Sequence, residues 1–235
     1  MVNVSPRTAD PAVRTALIEA AASLVVREGS DRLTLRRLAS DVGTSTMAIY
    51  THFGGMEQLR RAVRREAFGR LAAHLDDVDR TRDPVADVLM LGWAYYTNAA
   101  DNPDLYRAMF MEQPIDAEDA VVGLDTFERL VDGVDRCLQA GRFTTGDATT
   151  LATQLWAAEH GVVSLLLAAI VSKVEAVDTI LGTVVNLFQA YGDEPKAVAR
   201  SLAAARRRSP DLDALLAASP GAGLGAALRR TREQR

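Results

Sequence analysis

Helical periodicity runs through almost the whole of this 235-residue sequence. Apolar side chains recur at intervals of three and four residues, and no window alternates between apolar and polar residues as a strand would. Asp10-Pro11 and Asp83-Pro84 are typical of helix starts, because the acidic side chain caps the helix and proline fits its first turn. The sequence therefore predicts an all-α fold with nine helices before residue 195.

Several helix boundaries follow from local residue types. Pro114 and Asp116 precede a predicted helix that runs to about Ala140. Thr144-Thr145 precede the next predicted helix, because threonine side chains cap helix starts.

The composition is that of an ordinary globular protein, with 48% hydrophobic and 25% charged residues. A single cysteine, Cys137, excludes an internal disulfide and a cysteine-based zinc site, which is typical of a reducing compartment. The first residues contain no apolar signal segment, and the longest apolar run, residues 161–171, is too short to span a bilayer. We therefore expect a cytoplasmic protein without a membrane partner.

Charge is distributed unevenly along the chain. Residues 1–75 carry 11 basic and 7 acidic side chains, residues 76–194 carry 7 and 21, and residues 195–235 carry 9 and 3. A basic first third in an acidic protein favours contact with an anion such as DNA phosphate in that region. Chance variation of surface charge would produce the same pattern.

Residues 34–53 predict two short helices joined by a tight turn, the arrangement of a helix-turn-helix. Thr34 is expected to cap the first helix, Gly43 to form the turn, and Thr44-Ser45 to cap the second. The inner face comprises Leu35, Leu38, Val42, Ile49 and Phe53. The predicted DNA-contacting residues are Thr34, Arg36, Arg37, Thr44, Ser45, Thr46, Met47, Tyr50, Thr51 and His52.

Those outward residue types suit double-stranded DNA. Hydroxyl groups bind base edges or phosphates, Met47 fits a thymine methyl group, and Arg36 and Arg37 are placed to reach a phosphate. A solvated polar helix pair in an all-α protein is the alternative interpretation of the same pattern.

The segment T-L-R-R-L-A-S-D-V-G-T-S-T-M-A-I-Y-T-H-F, followed by a break and Glu57-Gln58-Leu59, resembles the signature of the TetR family of transcription regulators. The resemblance covers roughly residues 10–60. It implies that seven of the predicted residues occupy operator-contacting positions: Thr34, Arg36, Ser45, Thr46, Met47, Tyr50 and His52. The sequence departs from the family at Met56, where many members have a phosphate-binding lysine. Backbone N–H groups of residues 55–57 remain available there to bind a phosphate.

The resemblance also implies a division of the chain. We expect a helix-turn-helix DNA-binding domain at residues 1–58 and a larger helical bundle for effector binding and dimerisation at 59–194. A basic, partly disordered tail is expected at 195–235. The helices at about 145–171 and 174–191 are apolar over more than one stripe, which a four-helix interface in a homodimer would cover. The alternative to a dimer interface is that each of these helices is covered on both sides within the core of one chain.

Trp156, His160 and Gly161 resemble the WHG type of TetR C-terminal domain. In one interpretation, Trp156 and His160 line an effector pocket. In the other, His160 is a hydrogen-bonded core histidine and Gly161 allows another helix to pack closely. The further predicted pocket residues are Trp93, Tyr96, Tyr106, Met109, Phe110 and Phe127. Aromatic and methionine residues at helical spacing also suit a plain core.

We find no catalytic set, no metal-ligand set and no cofactor motif in the sequence. Glu159 and His160 are adjacent and point to different helix faces, so they do not form a zinc-protease motif. The sequence therefore predicts a dimeric, non-enzymatic repressor that binds a pseudo-palindromic operator and is released by an unidentified small molecule. An all-α small-molecule-binding protein without DNA binding is the alternative.

Overall fold

The computed structural model of the chain describes residues 10–29, 32–111 and 113–218. Apart from a 3₁₀ turn at Arg32, the secondary structure elements in this part of the chain are α-helices, which confirms the predicted fold class. None of these helices is long and apolar enough to cross a membrane. They are α1 (Pro11–Glu28), α2 (Leu35–Val42), α3 (Thr46–Phe53), α4 (Met56–Asp76), α5 (Pro84–Asp101), α6 (Pro103–Met111), α7 (Ala117–Ala120), α8 (Leu124–Gln139), α9 (Ala148–Leu167), α10 (Lys173–Ala190), α11 (Pro195–Arg208) and α12 (Pro210–Ala217).

Most helix starts are set by the capping residues that the sequence predicts. The Asp10 and Thr34 side chains accept hydrogen bonds from backbone N–H groups in the first turns of α1 and α2. The predicted start of α9 after Thr145 is wrong by a few residues. Asp147 caps this helix instead, because its carboxylate accepts from the backbone N–H of Thr150.

The helix predicted between residues 116 and 140 is in fact two helices, α7 and α8. Gly123 lies between them with φ +93°, a conformation that side chains beyond glycine rarely adopt. The ring of Phe68 occupies the space in which a Cβ atom at position 123 would lie. The described chain before residue 195 therefore contains ten helices rather than nine.

The chain forms two compact units, and the first contains α1–α3, α4 through Ala72, and the segment 101–124. Within this unit, α1 packs against α2, α3 and α6. The division differs from the predicted boundary at residue 58, because α4 continues past that point and a later segment joins the first unit. The largest fully buried side chains of the first unit include Leu17, Ile18, Leu24, Leu38, Ile49 and Leu59.

The second unit contains the end of α4, α5 and α9–α12, with α8 from Asp125 onward. Its core includes the ring of Phe143, whose centroid lies 5.2 Å from that of Phe188 and 5.3 Å from that of Tyr191. An ion pair of 2.6 Å joins Arg142 to Asp193 at the start of α11. Arg142 also donates a 3.1 Å hydrogen bond to the Ser201 hydroxyl oxygen on α11, which places this helix in the packed body of the unit.

Residues 195–217 differ from the weakly packed tail that the sequence predicts. Helices α11 and α12 bury Val198, Ala205 and Leu212. The Ser209 side chain caps α12 by accepting from the backbone N–H of Leu212. The disorder predicted for the end of the tail falls on residues 219–235, which lie outside the described residues.

We expect the substitution Arg142→Ala to lower the free energy of unfolding by roughly 3 kcal/mol, because it leaves the buried Asp193 carboxylate without its main counter-charge. Urea denaturation followed by circular dichroism measures this change. Arg200→Ala, on the exposed side of α11, is the matched control and should change stability by less than about 0.5 kcal/mol. Equal effects of the two substitutions on the free energy of unfolding would contradict the role of Arg142 as the counter-charge of Asp193.

Candidate nucleic-acid interface and ligand cleft

Helices α2 and α3 are joined as the sequence predicts. Leu38 and Ile49 are fully buried, and Gly43 ends α2 in the left-handed conformation with φ +70°. Ser45 caps α3 by accepting a 3.1 Å hydrogen bond from the backbone N–H of Ala48. Phe53 is also buried. The caps at Thr34 and Ser45, the turn at Gly43 and the inner-face positions of Leu38, Ile49 and Phe53 are therefore confirmed, whereas Leu35 and Val42 are only half-buried.

The opposite side of α3 exposes two large apolar side chains. Met47 is 70% exposed and Tyr50 is 52% exposed, and their spacing of three residues places them on one face of the helix. Thr46 is exposed at the first turn of the same helix. Exposed apolar side chains grouped in this way mark a contact surface.

Other predicted contact residues already have structural roles. The Thr34 and Ser45 side chains cap α2 and α3, and the Thr51 hydroxyl donates a 2.9 Å hydrogen bond to the Met47 carbonyl. Thr44 and His52 are half-buried. These groups lie at the candidate surface, but they are less available for contact with DNA than Tyr50 and Met47.

The two predicted arginines of α2 differ in their surroundings. Arg37 forms 3.0 Å ion pairs with Asp41 and with Glu28 of α1. The hydrogen bond to Asp41 raises the pKa of the Arg37 guanidinium above its ordinary value. Arg36 is exposed and has no ion pair or hydrogen bond among the described residues. Arg36 is therefore the better placed of the two to meet a phosphate.

The predicted pocket residues do not all fall in one unit. Tyr106, Met109 and Phe110 belong to the first unit, where Tyr106 and Met109 are buried and the Phe110 ring lies against Tyr106 and Phe68. The second unit contains the others: Trp93, Tyr96, Phe127, Trp156 and His160.

His160 is part of a hydrogen-bonded aromatic cluster. Its Nδ1 atom lies 2.9 Å from the Tyr95 hydroxyl oxygen, to which Trp156 Nε1 donates a longer hydrogen bond of 3.3 Å. The Phe127 ring packs 5.9 Å from Trp156. Burial lowers the pKa of His160 below its ordinary value. His160 is hydrogen-bonded, as one interpretation of the sequence expects, but it is half-buried rather than a core residue. Its role in an effector pocket stays a prediction.

A narrow cleft lies elsewhere in the second unit, between α5, α9, α10 and α12. About 340 Å³ of space lies within and around it, most of it open to solvent, and its interior has room for roughly one water molecule. Two predicted pocket residues, Trp93 and Tyr96, line it. The remaining lining residues are Leu89, Gly92, Glu159, Val177, Ile180, Leu181, Val184 and Leu212. Trp156 and His160 are not among them.

Glu159 is the polar centre of this cleft, and the sequence does not predict it. Its side chain is only 8% exposed in spite of its carboxyl group. It forms no ion pair or hydrogen bond with any described residue, and burial raises its pKa to about 8. The carboxyl group lies against Gly92, where a Cβ atom would clash with it. A glycine within an apolar helix is the one sequence feature that points to this close approach.

Tyr96 supplies a second isolated polar group at the cleft. Its hydroxyl is buried and has no hydrogen-bond partner in the described part of the chain. Its ring stacks on Trp93 with centroids 5.1 Å apart and an interplanar angle of 19°. The cleft thus combines an aromatic wall, an unpaired carboxyl group and an unpaired hydroxyl.

Comparison with known proteins matches two parts of this chain. Residues 17–63 match the family model described as bacterial regulatory proteins, tetR family. Residues 88–188 match the model described as the tetracyclin repressor-like C-terminal domain. Rv0681, an uncharacterized HTH-type transcriptional regulator of Mycobacterium tuberculosis, is 29% identical over 162 residues, which are 69% of this chain and 73% of the relative. The narrower WHG resemblance stays a prediction.

Solved structures share this fold at low sequence identity. The TetR family regulator PfmR of Thermus thermophilus is 19% identical with a TM-score of 0.56, covering 65% of this chain and 84% of its own. RolR in complex with resorcinol is 18% identical with a TM-score of 0.52, covering 81% of this chain and 93% of its own.

We expect Glu159→Gln to stabilise the protein more at pH 9 than at pH 5. The pKa of Glu159 rises from 4.5 to about 8 on folding, so the wild-type protein loses stability as pH rises through that interval. The neutral amide avoids this loss. The gain in the free energy of unfolding from Glu159→Gln should therefore be up to about 4 kcal/mol larger at pH 9 than at pH 5. Urea denaturation at both pH values measures the difference.

Glu128→Gln is the matched control, because Glu128 is an exposed glutamate of the same unit. It should show no such pH dependence. If Glu159→Gln stabilised the protein equally at both pH values, Glu159 would not be buried as an unpaired acid.

Proposed function

The chain belongs to the TetR family and is a DNA-binding transcription regulator, and we propose that it is a dimeric, ligand-responsive repressor. In this proposal two copies bind a pseudo-palindromic operator through their α3 helices. A small molecule bound in the second unit then releases the DNA. The protein acts in the cytoplasm, where bacterial operator DNA is found.

The exposure of Met47 and Tyr50 on α3 is the observation that supports DNA reading by this helix most directly. Both side chains project from a helix whose inner face is fixed by Ile49 and Phe53. A helix of this kind fits the major groove, where Met47 would contact a thymine methyl group and Tyr50 a base edge or phosphate. Arg36, the caps of α2 and α3, and the backbone N–H groups of residues 55–57 would bind phosphates.

The surface composition predicts a modest dependence of DNA binding on salt. Arg37 is engaged by Glu28 and Asp41, and Met56 stands where a lysine is usual in the family. Few cations therefore remain to displace counterions from the DNA backbone.

Helices α9 and α10 are the proposed dimer interface. Gly161 on α9 and Gly182 on α10 are exposed, and a Cβ atom at either position would have no neighbour within 4 Å in the described chain. Leu165, Val185 and Leu187 on the same helices are only partly buried. A second copy packed along these helices would cover the apolar side chains and approach closely at the glycines.

The proposed effector response follows from the dimer. Recognition of two half-sites requires the reader helices to lie about 34–36 Å apart. An effector that changes this separation weakens DNA binding without touching α3. The resorcinol complex of RolR shows a small molecule bound to a protein of this fold, which supports a similar role for the second unit here.

Tyr50→Ala should weaken operator binding by roughly 1–3 kcal/mol, because it removes an exposed side chain from the proposed reading face. Fluorescence anisotropy with a labelled operator from the DNA flanking the gene measures the change. Val121→Ala, which truncates an apolar side chain of similar exposure away from α3, should leave affinity unchanged. An unchanged affinity for Tyr50→Ala would assign Tyr50 a structural role.

Gly161→Phe should convert the dimer into a monomer, because a large side chain would prevent close approach of the second copy. Analytical ultracentrifugation over a range of concentrations detects the change. Gly69→Phe is the matched control, since Gly69 is also an exposed helical glycine with no neighbour within 4 Å of an added Cβ atom. A dimer that persisted in Gly161→Phe would place the interface elsewhere.

A further inference from the structure

We propose that the cleft between α5, α9, α10 and α12 binds a protonated amine with a slender apolar or aromatic body, and that the Glu159 carboxylate is its counter-ion. The inference rests on the proposed function, in which a small molecule controls the regulator. It adds the chemical class of that molecule and the group that recognises it.

The strongest support is the absence of a positive charge among the described residues that line the cleft beside Glu159. Ten such residues line it, of which only Glu159 and Tyr96 titrate, and none of the ten is an arginine or a lysine. Burying an ionised carboxylate without a counter-charge is costly, so the free protein keeps Glu159 protonated at neutral pH. A cationic ligand supplies the missing charge, whereas an anionic ligand would be repelled by the ionised form.

The aromatic wall favours the same class of ligand. The stacked rings of Trp93 and Tyr96 stand beside Glu159 on the cleft surface. The faces of such rings attract cations, and the attraction is stronger in a site shielded from water. An aliphatic or benzyl amine therefore gains from the rings as well as from the carboxylate.

One ammonium group would satisfy both isolated polar groups of the cleft. An ammonium group has three N–H donors, and both the Glu159 carboxylate and the Tyr96 hydroxyl oxygen accept hydrogen bonds. A neutral hydroxyl group would hydrogen-bond to either residue but would leave the carboxyl group without a counter-charge. The match in donor number and charge distinguishes an amine from an alcohol of the same shape.

The rest of the cleft wall is apolar and suits the apolar part of the ligand. Val177, Ile180, Val184 and Leu212 line it together with the aromatic rings. The interior of the cleft has room for roughly one water-sized group, so the cleft must widen to admit even a slender molecule. Residues 76–194 carry 21 acidic and 7 basic side chains, which raises the local concentration of cations.

Binding of an amine should release a proton from the protein. At pH 7 the Glu159 carboxyl group is mostly protonated, because its pKa is about 8. When the ammonium ion binds, the carboxyl group loses its proton to the buffer and the carboxylate pairs with the ligand. Close to one proton is therefore released for each amine bound, whereas a neutral ligand releases none.

Isothermal titration calorimetry with 2-phenylethylamine and its neutral isostere 2-phenylethanol tests the inference on the full-length protein. Titrations at pH 7 in two buffers with different ionisation enthalpies give the number of protons released. We expect the amine to bind roughly tenfold more tightly than the alcohol, or better, and to release close to one proton. Equal affinities, or amine binding without proton release, would overturn the inference.

Two glutamate variants identify the residue responsible. Glu159→Gln should abolish both the preference for the amine and the proton release, while Glu128→Gln should keep them. Circular dichroism shows that each variant is folded. Loss of the preference in Glu128→Gln, or its survival in Glu159→Gln, would overturn the role of Glu159.

Operator release, measured by anisotropy in the presence of each compound, separates this inference from the proposed function. If 2-phenylethylamine bound with proton release but left the DNA complex intact, the ligand class would stand and the regulatory role would fail. If another small molecule released the DNA while the amine did not bind, the inference would fail and the proposed function would stand.

Discussion

The burial of Leu38 on α2 and Ile49 on α3 is the constraint on which the proposed DNA-reading surface depends. Each fully buried aliphatic side chain contributes about 1.5–3 kcal/mol, enough to fix two helices that are each only eight residues long. Gly43 permits the sharp reversal between them, with φ +70°. Once these inner residues are fixed, Met47 and Tyr50 must face outward.

The two candidate sites both depart from the usual partition of residues between core and surface. Helix α3 exposes large apolar side chains, whereas the cleft of the second unit buries a carboxyl group without a partner. Each arrangement lowers stability relative to a conventional choice of residue. Such departures are expected where a protein binds something else, as we propose for DNA at α3 and for an amine beside Glu159.

The sequence alone predicts those features that depend on neighbouring residues in the chain. Caps such as Asp10 and Thr34, and the turn at Gly43, act within one helical turn and are recognisable without the fold. Arg37 is different, because its ion pair with Glu28 exists only once α1 packs on α2. A sequence pattern gives the charge of Arg37 but not whether that charge remains available to DNA.

Glu159 illustrates the same limit in the second unit. Its position requires the absence of a side chain at Gly92 on another helix, and the cleft that it lines also depends on Leu212 of α12. Neither condition is visible in the residues that surround Glu159 in the chain. Helical periodicity places Glu159 on a face different from that of His160, but it does not show which of the two faces a cleft.

The central claim is that the α3 helices of two copies read a symmetric operator. Selection of binding sites from a random DNA library tests this claim most directly. The account predicts that the selected sequences converge on an inverted repeat whose half-site centres lie about one helical turn apart. Hydroxyl-radical footprinting of the selected site should show protection on one face of the duplex. Failure to enrich any sequence at low salt, or enrichment of a site without two-fold symmetry, would contradict the account.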